Sequence, residues 1–184
     1  MVTKLLILDL DETLVFASEQ KLSRIEDFRV GSYFVYQRPG LMRFIEFVFD
    51  YFKVAVWTSS GSGYASDIVR AIFEDPEKLQ FVWTRNRCTR RLDPDSGEDH
   101  WNKDLKKVRR LGFSLESIVV IDDSPEKLER HYGNTICVTP FMGDALDQEL
   151  RKLQTYLLWL KDVPNVRLIE KRNWRTAPEI RHTH

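Results

Sequence analysis

With 184 residues, 28 basic and 28 acidic side chains and a formal net charge of zero, the chain can build one domain with a sizeable core and has no bulk charge to draw it to nucleic acid or a membrane. Two cysteines, Cys88 and Cys137, exclude a disulfide framework and a multi-thiolate zinc site, and no apolar run reaches the roughly 18 residues of a membrane span. Two aspartates fall where a secretory leader would need its cleavage region, so a soluble cytoplasmic protein is expected, with a nuclear location also compatible.

Lys4-Leu5-Leu6-Ile7-Leu8 has the length and composition of a buried strand, and it runs directly into Asp9-Leu10-Asp11-Glu12-Thr13. Residues 17 to 32 are mostly polar without a strong period, and Tyr33 to Tyr36 is strand-like until Arg38-Pro39-Gly40 breaks it. Leu41, Ile45, Val48 and Phe52 recur at helical spacing and feed a second buried strand, Lys53 to Trp57. A loop from Thr58 to Gly63 leads to a helix marked by Tyr64, Ile68 and Ile72, and Gln80 to Trp83 is a short strand. Residues 84 to 100 lack an apolar period and contain Asp93-Pro94-Asp95-Ser96-Gly97, which predicts a polar hairpin or loop insertion.

Trp101, Leu105, Val108 and Leu111 then predict a helix closed by Gly112, and Ser117 to Ile121 reads as a buried strand. A strand near Thr135 to Val138 and a helix carrying Leu146, Leu150, Leu153, Leu157 and Leu160 complete the pattern. Residues 1–163 are therefore expected to form the domain, with 164–184 as a C-terminal tail. Strands alternating with helices predict an α/β fold with a central, mainly parallel sheet wound on both faces.

The chemistry-bearing residues fall just after predicted strands or at helix starts: Asp9, Asp11 and Thr13, then Thr58 to Ser60, then Lys103, then Asp122-Asp123-Ser124. In an open parallel sheet these segments converge at one edge. Clustered carboxylates repel one another unless a cation lies between them or one takes a proton. A hard cation such as Mg²⁺ prefers such oxygen ligands, while hydroxyls, loop N–H groups and an ammonium match phosphate oxygens. Alone, each segment has a plainer reading. Thr58 to Ser60 could be a helix cap, Lys103 could lie on a solvated face with Lys106 and Lys107, and Asp122 to Pro125 could start a helix.

Together the segments resemble the haloacid-dehalogenase phosphatase superfamily. More narrowly they resemble its branch of small C-terminal-domain phosphatases and NLI-interacting-factor-like proteins. Asp9-Leu10-Asp11-Glu12-Thr13-Leu14-Val15 is similar to the first motif and Val56-Trp57-Thr58-Ser59-Ser60 with Tyr64-Ala65 to the second. Asn102-Lys103-Asp104-Leu105 is similar to the third, Val120 to Pro125 to the fourth, and Tyr36-Gln37-Arg38-Pro39-Gly40 to a further family segment. The resemblance implies a Rossmann-like three-layer sandwich. It also implies that Asp9 is a nucleophile forming an aspartyl-phosphate and that Asp11 is the acid and then the base. Mg²⁺ would be held by Asp9, the Asp11 backbone carbonyl and Asp123, with Asp122 supporting or sharing that role. Thr58 and Lys103 would hold the phosphate, and Thr13, Ser59, Arg38 and Tyr64 would contribute to substrate binding. Two departures stand out: Asp123 where Asp-Asn is common, and Phe16 where a histidine is common.

The expected function is a Mg²⁺-dependent phosphomonoesterase acting on phosphoserine or phosphothreonine in a protein or peptide, as a monomer. Phosphatase action on nucleic-acid ends or small phosphorylated metabolites is the alternative, suggested by Arg85, Arg87, Arg90 and Arg91 and a basic C-terminus. The alternative from another class is a catalytically silent binding module. It is disfavoured because Asp9, Asp11, Thr13, Thr58 and Lys103 are all present.

Overall fold

The structure, a computed structural model, describes residues 3–92 and 99–176. In chain order it contains β1 (Leu5–Leu8), β2 (Val15–Ser18), β3 (Phe28–Val30), β4 (Tyr33–Gln37), α1 (Leu41–Tyr51), β5 (Lys53–Trp57) and α2 (Ser62–Ile72). There follow β6 (Val82–Trp83), β7 (Thr89–Leu92), β8 (Asp99–Asn102), α3 (Lys106–Arg109), β9 (Ile118–Asp122), β10 (Thr135–Cys137) and α4 (Glu149–Leu160). Among the described residues no helix is long and apolar enough to cross a membrane.

Five parallel strands form the central sheet in the order β10-β9-β1-β5-β6. Strand β1 takes the middle because all four of its residues are apolar and can be covered on both sides. Its alternating side chains enter two cores. Leu6 and Leu8 pack with Phe44 and Val48 of α1, Ile68 of α2 and Leu153 and Leu157 of α4. Leu5 and Ile7 pack with Leu105, Val108 of α3 and Leu128 on the opposite side. Burying each such side chain contributes about 1.5–3 kcal/mol before chain entropy is counted. The three-layer α/β sandwich expected from the sequence is the fold observed.

Local chemistry explains the element boundaries. Gly40 adopts φ +81° ahead of α1, a conformation that disfavours any side chain, and Gly112 at φ +92° donates its N–H to Arg109 O after α3. Pro125 opens an irregular 3-10 segment, Pro125–Asn134, directly after the acidic pair.

Three expectations need correction. Residues 17 to 32 hold strand residues that their polarity hid: β2 and β3 flank β4 in a separate antiparallel sheet. Trp101 does not start a helix, because it lies in β8 and faces Arg90 across the β7–β8 hairpin. Helix α3 is therefore a single turn, and Lys103 sits on the link before it. Leu146 is exposed and precedes α4, whose buried stripe begins at Leu150. The segment Asp93-Pro94-Asp95-Ser96-Gly97 lies outside the described residues.

Beyond α4, Val166 and Trp174 are buried, and the Trp174 indole N–H donates to the Cys137 carbonyl at 2.8 Å. The Lys171 ammonium donates to the carbonyls of Gly133, Ile169 and Val166, and burial pulls its pKa down to about 8. Residues 177–184 lie outside the described part. Cys88 is buried and Cys137 is half-buried. Trp57 and Trp83 pack edge to face in the core.

Candidate active site

Register places the site. Leu8 pairs with Val56 on one side and Ile121 on the other, so the next residues of three adjacent strands reach the same sheet edge together. Asp9 donates its N–H to Ile121 O at 3.0 Å, and Thr58 donates its own to Trp83 O at 2.9 Å. Asp9, Thr58 and Asp122 thus emerge side by side at the carboxyl ends of parallel strands, where the fold leaves its crevice.

After Asp9 the chain folds into a tight turn, with the N–H groups of Thr13, Leu14 and Val15 directed at Leu10 O. Glu12 holds φ +59°, a conformation uncommon for a residue with a side chain, while its carbonyl accepts from the Phe141 N–H at 2.6 Å. Those contacts hold Asp9 and Asp11 on one loop with different surroundings. Asp9 is 1% exposed and Asp11 is half-buried.

Lys103 is fully enclosed, and its ammonium donates to Asp9 Oδ1 at 2.9 Å and Asp122 Oδ2 at 2.5 Å. Burial works against that charge, but Asp122 and Asp9 outweigh it and hold the lysine pKa above its ordinary value. Asp122 is pushed up by burial and by the Asp9 charge, with Lys103 opposing. Asp123 accepts from Thr13 Oγ1 at 3.3 Å and Ser124 Oγ at 3.0 Å. Each of Asp9, Asp122 and Asp123 offers an oxygen within 4.8 Å of the other two, an all-oxygen donor set suited to a hard cation.

Asp11 faces a different set of partners. Tyr64 OH donates to Oδ1 at 2.5 Å and Ser60 Oγ to Oδ2 at 2.6 Å. Burial raises the Asp11 pKa and these hydroxyls pull it partly back. Two carboxyls two residues apart therefore divide: Asp9 is paired with an ammonium, and Asp11 is held by neutral hydroxyls.

The structure brings Asp9, Asp11, Thr13, Thr58, Lys103, Asp122 and Asp123 to one edge, with Ser59 half-buried beside Thr58. Thr58 Oγ1 accepts the Ser60 N–H at 3.0 Å, which leaves its own proton for another acceptor. Thr13 is fully buried and directed at Asp123. Arg38 departs from the expected substrate contact. Only 1% exposed, it forms a two-point pair with Asp147 at 2.9 and 2.8 Å and donates to the carbonyls of Thr13 and Thr139. Its role is to join the acidic loop to the loop before α4. Phe16 packs against Tyr36 at 6.4 Å between ring centroids.

Of the four clustered arginines, Arg90 pairs with Asp99 and Arg91 with Glu129. Arg85 donates to Ser59 O and lies over Trp101, and Arg87 lies over Trp83. Half of the cluster's charge is thus met by carboxylates. Sequence reasoning missed Lys127, whose ammonium lies 3.7 Å from Asp9 Oδ2 and 3.9 Å from Asp122 Oδ1. Its only sequence signal is its place two residues after Pro125 in the acidic segment.

Comparison with known proteins agrees with this geometry. The model of NLI interacting factor-like phosphatases matches residues 4–167. A putative CTD phosphatase-like protein of Invertebrate iridescent virus 3 is 31% identical over 180 residues, covering 84% of this chain and 95% of that protein. A probable C-terminal domain small phosphatase of Dictyostelium discoideum is 31% identical over 92% of this chain, which spans only 55% of that relative. A CTD nuclear envelope phosphatase of Danio rerio is 29% identical, covering 92% of this chain and 72% of the relative. Among solved structures, Fcp1, an essential RNA polymerase II CTD phosphatase, superposes with a TM-score of 0.54 at 22% identity. That match covers 86% of this chain and 50% of Fcp1, and it bears on the fold alone. With the family model spanning nearly the whole described chain and the acidic motifs meeting at one sheet edge, the chain belongs to the NLI interacting factor-like phosphatases.

Proposed function

We propose that the chain is a Mg²⁺-dependent phosphomonoesterase that works through an aspartyl-phosphate on Asp9 and takes phosphoserine or phosphothreonine in a protein. The observation that carries this reading is the division of the two loop carboxyls. Asp9 is oriented by Lys103, and Asp11 is protonatable beside it. The Asp9 carboxylate attacks phosphorus, and Asp11 gives its proton to the leaving serine or threonine oxygen. Water then attacks the aspartyl-phosphate, giving its proton to Asp11 and releasing phosphate with Asp9 restored. Asp9, Asp122 and Asp123 would hold the cation, which supplies charge neutralisation between a phosphate dianion and these carboxylates. Lys103 keeps Asp9 aligned, and the free Thr58 hydroxyl proton is placed to meet a phosphate oxygen.

A protein substrate is supported by relatives named for phosphatases of a polypeptide C-terminal domain. The half-buried rim of Asp11, Ser59 and Ser60 is also in keeping with a bulky substrate reaching in. The pairing of Arg90 and Arg91 with carboxylates leaves less basic surface for nucleic-acid ends.

The test is release of p-nitrophenol from p-nitrophenyl phosphate, followed by phosphopeptides and phosphorylated oligonucleotides. Turnover is expected with Mg²⁺ and none with EDTA, and undiminished turnover in EDTA would sink the metal assignment. Because the three carboxylates meet only in the folded state, Mg²⁺ at a hundred times its Kd should also add about 2.7 kcal/mol of stability. Thermal melting with and without the metal reads this directly.

Tyr64→Phe tests the assignment of Asp11. The phenol donates to the ionised carboxyl and lowers its pKa, so its loss raises that pKa further. The first step needs Asp11 protonated and is lost as pH rises through that value. The alkaline limb of kcat should therefore move to higher pH, while the peak falls by about tenfold as the acid weakens. An unmoved limb would show that the limb belongs to another group.

A further inference from the structure

Lys127 belongs to none of the motifs the sequence singled out, yet it stands over the proposed nucleophile. Its backbone is tied down on both sides: its N–H donates to Ser124 O at 3.1 Å, and its carbonyl accepts the Lys103 N–H at 2.7 Å. The same chain segment thus carries Asp122, Asp123 and Lys127 and is fastened to the link carrying Lys103.

The two lysines are placed differently. The Lys103 side chain is fully enclosed and already donates to two carboxylates at 2.9 and 2.5 Å. The Lys127 side chain is 22% exposed, and its ammonium lies 3.7 Å from Asp9 Oδ2 and 3.9 Å from Asp122 Oδ1. Those separations allow attraction but exceed hydrogen-bond length. Among the described residues, then, nothing takes its three N–H donors by hydrogen bonding. An ammonium held beside two carboxylates with its donors free of protein partners can turn them to an incoming acceptor in place of water.

Charge points the same way. Asp9, Asp122 and Asp123 gather three carboxylates within 4.8 Å, and Lys103 alone offsets one of them. A phosphate dianion entering beside them meets net negative charge that a second ammonium lowers. Lys127 lies on the side open to solvent, whereas Lys103 lies on the side closed by the core.

We propose that Lys127 is a second phosphate-holding ammonium, donating to the oxygens of the phosphoryl group from the solvent side while Lys103 orients Asp9 from beneath. This rests on the phosphatase reading above. Removing one donor to the transferring group should cost about 10²–10³ in kcat.

The full chain is compared with Lys127→Met and Lys127→Arg by p-nitrophenyl phosphate kinetics, calorimetric binding of inorganic phosphate in Mg²⁺, Mg²⁺ half-saturation and thermal melting. The expected result is that Lys127→Met lowers kcat by about 10²–10³ and weakens phosphate binding at least about tenfold, with Lys127→Arg retaining most of both. Mg²⁺ should bind Lys127→Met as tightly as wild type or more tightly, because a cation beside the carboxylates has been removed. Unchanged phosphate binding and kcat would overturn the proposal. So would a defect confined to Mg²⁺ half-saturation, or one shared by both variants together with a lower melting temperature. Wild type that binds phosphate through Lys127 but never turns over would refute the hydrolase reading and uphold this one. Wild type that does neither would refute both.

Discussion

Asp9→Asn is expected to abolish hydrolysis of p-nitrophenyl phosphate, by about 10⁴-fold or more, without lowering the melting temperature in EDTA. The first effect follows because an amide cannot form the acyl phosphate, and losing a nucleophile costs nearly the whole rate of the sites that depend on one. The second follows from the surroundings of Asp9. The Asn carbonyl can still accept from Lys103, which retains Asp122 at 2.5 Å. One of three mutually repelling carboxylates is also neutralised. Relief of the Asp9 repulsion with Asp122 and Asp123 opposes the attraction lost to Lys103 and Lys127, so the net change in folding stability is small. Full activity in the variant would remove Asp9 as nucleophile. Lost activity with a melting temperature well below wild type would place its importance in folding instead.

Lys103→Met should have the largest effect on stability. It leaves Asp9 and Asp122 buried without their shared ammonium, and breaking such an arrangement costs about 3–5 kcal/mol. In a domain of this size that corresponds to a fall of about 6–20 °C in Tm. The pH dependence separates charge from packing. Without Lys103, Asp122 loses the ammonium that opposes the rise in its pKa, so it binds a proton more readily folded than unfolded and the folded state gains as it protonates. The deficit should be largest near neutrality, where Asp122 is ionised, and shrink as pH falls through its raised pKa. Mg²⁺ should recover part of it at neutral pH. A deficit of equal size at all pH values would mean that methionine merely packs badly there.

Legibility in the sequence followed burial. Strands β1, β5 and β9 are almost wholly enclosed, so they read as apolar runs; β1 and β5 are followed directly by Asp9 and Thr58, and β9 ends in Asp122. Strands β2 and β3 are half-covered and short, and nothing in residues 17 to 32 repeats often enough to announce them. Trp101 misled because its spacing of four to Leu105 imitates a helix, whereas the pairing that makes it a strand lies across the hairpin at Arg90. The same contrast divides the site. Asp9, Asp11, Lys103 and Asp122 stand out by motif and order. The use of Arg38 depends on Asp147, more than a hundred residues away, and Lys127 sits among charged neighbours that suggest only a wet surface.

The Arg38 clamp also bears on how the molecule comes apart. One guanidinium holds the end of the acidic loop through Thr13 O, the segment following β10 through Thr139 O, and the approach to α4 through Asp147. None of these three segments can open alone without stranding a buried positive charge, so fraying at the catalytic edge is coupled to loss of the core. Amides of residues 9–15 should then exchange with solvent at the rate of global unfolding. Strands β7 and β8 lie outside that clamp and are tied instead to Glu129, through Arg91 and Asn102.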